Sequence, residues 1–164
     1  MAYLFRVMKR LASTLFACVL CACTGYTVAH SPQPLVDALA PPPAGLAKIC
    51  VFRDSWIGSA LTTPIYDNDE VVGATEGPGH FCYLATEGEH ILRTEVSDAP
   101  AIRLRVVAER SYFVEHAIRI GTDRLFVIDA VRARKLALST DYAVIDEIPE
   151  GAPPVATLPT ARGR

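Results

Sequence analysis

The side chains able to do chemistry in this 164-residue chain are few and scattered. Four histidines, His30, His80, His90 and His116, never come in pairs at the three-to-five spacing that holds zinc, and no His-Glu-x-x-His run exists. His116 falls in an alternating stretch and reads as a core histidine; His90 follows a turn and reads as a hydrogen-bond partner. Asp67-Asn68-Asp69-Glu70 is rich in calcium-type oxygens, but Val71 stands where an EF-hand needs a ligand and Val72 where it needs glycine. It therefore reads as a solvated tight turn. Ile57-Gly58-Ser59-Ala60-Leu61 lacks the two flanking glycines of a nucleophile elbow. Gly77-Pro78-Gly79 is too short and too rigid to cradle phosphate. Arg93, Arg103 and Arg105 could form a basic stripe, but Glu95 lies within it and a solvated strand face is the simpler reading. The expectation is no catalytic residue, no metal and no cofactor.

The cysteines are more informative. Arg6, Lys9 and Arg10 precede an uncharged apolar stretch, Leu11 to Ala22, which is too short to span a bilayer needing roughly 20 residues. Residues 1–22 read as an export signal. Leu20-Cys21-Ala22-Cys23 resembles the bacterial lipobox, with Leu three before and a small residue just before the acceptor. Cys23 is thus the expected site of lipidation, diacylglycerol and palmitate included. Thr24 follows it where Asp would mark retention at the inner membrane, so the expected address is the periplasmic face of the outer membrane. Each buried methylene contributes about 0.8 kcal/mol, so two or three acyl chains make an anchor effectively permanent. Cys18 and Cys21 leave with the signal, and Cys50 and Cys82 remain. In an oxidising compartment they could pair, and closing their loop would contribute roughly 3–4 kcal/mol; two buried free thiols are the alternative.

The elements that must position these residues read as strands. Runs rich in Val, Ile, Tyr and Phe recur from Ala47 onward between turn signals, and Ala101–Val107 alternates with a period of two. Asp129–Leu138 reads as one short helix capped by Asp129. The expected fold is all-β, an antiparallel β-sandwich of about seven or eight strands, dry inside and wet outside, with one short C-terminal helix. Pro32, Pro34, Pro41, Pro42 and Pro43 make residues 23–46 read as a flexible tether. Residues 47–148 form the sandwich, and the proline-rich residues 149–164 read as a disordered tail.

Several segments, taken in order, carry a resemblance. They are Ile49-Cys50-Val51-Phe52-Arg53, Trp56-Ile57-Gly58-Ser59-Ala60, Ile65-Tyr66-Asp67 to Val72-Gly73, Phe81-Cys82-Tyr83-Leu84 to Gly88-Glu89-His90-Ile91-Leu92, and Arg110-Ser111-Tyr112-Phe113-Val114. Together they resemble the bacterial envelope lipoproteins grouped as domain of unknown function 2846. The resemblance implies a transthyretin-like or PEGA-like sandwich and implies no activity.

The formal charge of −2 and a pI near 6.1 leave no global basic field, so nucleic acid is excluded as an expected partner. Losing Arg6, Lys9 and Arg10 with the signal makes the remainder more acidic still. The function expected is non-enzymatic: an outer-membrane lipoprotein, held through Cys23, whose sandwich binds or stabilises an envelope protein or peptidoglycan. Trp56, in the loop after the first sandwich strand, is the expected contact surface; a cover over one end of the core is the alternative. The alternative is a small envelope hydrolase in which His80, His90 or His116 meets a carboxylate and a hydroxyl only in three dimensions.

Overall fold

Alternation decides which side of a strand meets the core, and the described residues of this computed structural model form ten strands and one helix. The structure describes residues 25–32, 34–95 and 99–160. The strands are β1 (Thr27–Ser31), β2 (Ala47–Arg53), β3 (Thr63–Asp67), β4 (Glu70–Thr75), β5 (Gly79–Ala85), β6 (Gly88–Thr94), β7 (Ile102–Val106), β8 (Ser111–Arg119), β9 (Thr122–Val127) and β10 (Asp141–Glu147); helix α1 (Ala130–Ala137) lies between the last two. One sheet runs β1-β10-β5-β2-β8-β9 and the other β4-β3-β6-β7. The architecture is an all-β sandwich with one short C-terminal helix. Most pairs are antiparallel, but β2–β8 and β10–β5 are parallel, so the six-stranded sheet is mixed.

The core lies between the sheets. Ile49, Val51, Phe81, Tyr83 and Val114 project from the larger sheet onto Ile65, Val72, Leu92, Leu104 and Val106 of the smaller. In β7 the pattern is clean: Leu104 and Val106 are buried while Arg103 and Arg105 face water. The β3–β4 hairpin turns at Asn68 and Asp69, both with positive φ, which is the backbone a two-residue turn of primed type demands. At Gly73 a Cβ would sit 2.3 Å from the Phe81 ring, so glycine there lets the two sheets close on an aromatic side chain.

The outer face of the larger sheet departs from the expectation of a wet exterior. All seven residues of β2 are buried. Lys48, Cys50 and Phe52 point away from the main core and are covered by residues 36–40 and by α1, whose Ala133 and Leu136 pack on Cys50, Phe52 and Cys82. Asp129 caps the helix by accepting from the Arg132 backbone N–H at 2.7 Å.

Two further expectations are corrected. The segment read as a flexible tether carries β1, paired with β10 from Thr27 to Ser31, and its backbone is stapled to β2 by Lys48. The segment read as a disordered tail is docked as far as Leu158: Val155 bridges to Val71, the Ala156 N–H donates to the Val71 carbonyl at 2.7 Å, and Ala156 and Leu158 pack on the core. In both cases the chain's backbone groups are satisfied by distant partners, a signal that local composition does not carry.

Candidate functional site

Three histidines, two buried cations and one disulfide carry most of the chemistry that the sandwich assembles. His116 in β8 points into the core, fully buried. Its Nδ1 lies 2.8 Å from the Thr75 hydroxyl of β4 and its Nε2 lies 3.1 Å from the Asp123 carboxylate of β9. Because a carboxylate only accepts, Nε2–H donates to Asp123, while Nδ1 and the Thr75 hydroxyl share a second hydrogen bond. Burial pushes Asp123 up, but the His116 hydrogen bond and charge, helped by Arg53, outweigh it and hold Asp123 below its ordinary value. The trio has the composition of a hydroxyl–imidazole–carboxylate relay. Thr75 is itself fully buried, however, so the hydroxyl meets the other sheet and not solvent.

His90 in β6 bonds within the smaller sheet, and its partner Asp67 of β3 carries the second cross-sheet link. Its Nε2–H donates to the Thr86 carbonyl at 3.0 Å, and its Nδ1 lies 2.6 Å from Asp67 Oδ2, which also accepts from the Tyr83 hydroxyl at 2.8 Å. Burial, then the Asp67 charge and hydrogen bond, push the Tyr83 phenol well above its ordinary value, so it stays a donor.

His80 in β5 lies on the outer face of the larger sheet, stacked on Phe52 and edge-on to Tyr142. The Thr140 hydroxyl gives its proton to the Leu136 carbonyl at 2.7 Å, so His80 Nδ1–H must donate to Thr140 Oγ1, 2.9 Å away. Burial lowers the His80 pKa, and the neutral ring is preferred. A hollow of about 270 Å³ beside it is lined by Asp37, Thr140 and Asp141 among others.

The two buried cations are staples. Lys48 Nζ donates to the carbonyls of Asp37 (2.7 Å), Ala38 (2.9 Å) and Ala40, using all three N–H groups; burial lowers its pKa. Arg53, fully buried at the end of β2, donates through Nη1 to Leu61 (2.8 Å) and Thr75 (3.3 Å) and through Nη2 to Ile57 (3.1 Å) and Gly58 (2.6 Å). Its fork therefore holds the 54–62 loop at three carbonyls, while its Nε–H finds no partner among the described residues.

Cys50 and Cys82 form a disulfide, directly opposite one another across β2 and β5 with Cα atoms 4.0 Å apart. The choice that sequence left open is settled by this register. Trp56 is 77% exposed at the top of the loop that Arg53 holds, so it does not cover the core. Cys23 lies outside the described residues. Sequence reasoning passed over Lys48 and Arg53. A lone cation inside an apolar strand, Ala47-Lys48-Ile49-Cys50-Val51-Phe52-Arg53, was the available signal.

No family model matches the chain, and no solved structure matches it. It is similar to an uncharacterized protein of Haemophilus influenzae (strain Rd), 26% identical over 81 residues that make up 49% of this chain and 48% of the other. The chain thus spans about half the length of the curated relative it matches.

Proposed function

We propose that this protein is a lipid-anchored β-sandwich of the bacterial envelope that binds or stabilises another envelope component and does no chemistry of its own. Cys23 is the acylated residue, and the outer membrane, periplasmic side, is its address. The observation that carries the reading is the Cys50–Cys82 bond, since a structural disulfide fits folding outside the reducing cytosol and so fits the export signal of residues 1–22. The resemblance to the lipoproteins of domain of unknown function 2846 agrees with it. The non-enzymatic part is supported by how the histidines are used: His116 joins the two sheets from inside through Thr75, His90 is held by Asp67 and the Thr86 carbonyl, and Thr140 beside His80 has already given its proton to a backbone carbonyl.

The test is chemical. Protein purified from membranes of the native host should have a mass that starts at Cys23 and includes diacylglycerol and an amide-linked acyl chain. Cys23→Ala should move it from the membrane fraction to the soluble one. Recovery of that variant with the membrane, or a native chain that begins at Met1 without lipid, overturns the proposal. Crosslinking in cells from positions in the 54–62 loop then identifies the component bound.

A further inference from the structure

Little free chain separates Cys23 from the folded body. Tyr26 is buried against Tyr66 and Val71, and its hydroxyl donates to the Pro153 carbonyl at 2.6 Å. From Thr27 on, β1 is paired with β10. Only Thr24 and Gly25 intervene, so three residue steps span at most about 11 Å. A coil of the length that composition suggests would instead reach roughly 25–30 Å. Acyl chains on Cys23 would therefore bring the bilayer surface against the body itself, at the place where the chain emerges.

The surface there is defined. Gly25 and Tyr26 share a hollow of about 370 Å³ with Thr62, Pro64, Tyr66 and Glu95. Thr62 ends the 54–62 loop, which exposes Trp56 (77%), Ile57 (50%) and Leu61 (63%). Ser55 Oγ donates to the Ile118 carbonyl at 3.1 Å, which sets this loop beside the β8–β9 turn and its Ile120, 92% exposed. The three loop side chains do not hang on loose chain: the buried Arg53 fork holds the carbonyls of Ile57, Gly58 and Leu61. A rigid cluster of Trp, Ile and Leu close to a lipidated terminus has the composition of a membrane-interface anchor, where tryptophan sits at headgroup level.

We infer that the 54–62 loop and the β8–β9 turn form a membrane-contacting face, whose occupant is the lipid bilayer that holds the Cys23 acyl chains. This deepens the proposed function and rests on acylation at Cys23. The body lies on the membrane with Trp56, Ile57, Leu61 and Ile120 among the headgroups, and α1 and β7 remain available to other partners.

Trp56 is the single tryptophan of the chain, so its fluorescence reports this face without mutation. The full-length acylated protein is reconstituted into vesicles of phosphatidylethanolamine and phosphatidylglycerol, with and without brominated acyl chains, and recovered by flotation. The expected result is a blue shift on reconstitution and a loss of about half the Trp56 emission with brominated lipid, as for a ring at the headgroup–acyl boundary. Adding Leu61→Asp and Ile120→Asp together should reverse most of that loss while flotation persists. Protein that floats with unshifted, unquenched Trp56 overturns the membrane face and leaves the anchor standing; in that case Trp56 faces a protein or cell-wall partner. Protein that fails to float overturns both.

Discussion

Replacing Arg53 by methionine keeps the side chain's length and removes its charge. Four backbone carbonyls, of Ile57, Gly58, Leu61 and Thr75, lose their donor. Three belong to a loop that can turn toward water; Thr75, fully buried, cannot. Arg53 also supports the charge on Asp123, which His116 holds by a hydrogen bond between neighbouring strands β8 and β9. Hydrogen bonds from a charged donor contribute about 1.5–3 kcal/mol each, but the gross sum is offset by the desolvation of a guanidinium taken wholly from water. Removing one partner from such a buried network costs about 3–5 kcal/mol, a third or more of a typical domain's stability. With a urea slope of about 1.5 kcal/mol/M the midpoint should fall by about 2–3 M. Trp56 emission should also lose its rigidity-dependent anisotropy, because the 54–62 loop no longer has a clamp. Arg53→Lys should fall between, since it keeps the charge near Asp123 but has fewer donors in the wrong geometry. Urea melts of the three proteins, followed by circular dichroism and by Trp56 anisotropy, decide the matter. An Arg53→Met midpoint within 0.5 M of wild type, a shift of under about 1 kcal/mol, would refute the clamp.

Two more outcomes follow from the covered outer face. The Cys50–Cys82 bond closes a separation of 32 residues, so Cys50→Ala/Cys82→Ala should lose about 3–4 kcal/mol in urea melts, and wild type should be matched to it by unfolding in reductant. Because Cys50 is fully buried beneath residues 36–40 and α1, reductant without denaturant should leave the bond intact for far longer; rapid reduction of the folded protein would contradict that burial. For His80 the folded pKa lies below the unfolded value of 6.5, so the neutral ring's stabilisation is complete above 6.5 and is lost as pH falls through the folded pKa. Stability should therefore drop on acidification from about pH 6.5, and His80→Gln should flatten that part of the curve; an unchanged slope would remove His80 as its source.

What the sequence determined by itself was whatever is set by near neighbours. Alternation in Ala101–Val107, the tight turn at Asn68-Asp69 and the Asp129 cap are local, and each element formed where local chemistry calls for it. The class of fold, an all-β sandwich ending in a short helix, followed from them. The strands Thr27–Ser31 and Asp141–Glu147 were less legible: the first is short and proline-flanked, and each has its backbone satisfied by the other across more than a hundred residues. The tertiary structure alone decided that β2 lies between β5 and β8, antiparallel to the first in the register that sets Cys50 against Cys82 and parallel to the second, with both faces of this central strand buried. It also decided where Lys48, Arg53, His80, His90 and His116 find partners. A buried charge or imidazole is tolerated only where folding gathers acceptors from distant segments, and no window of neighbouring residues contains them.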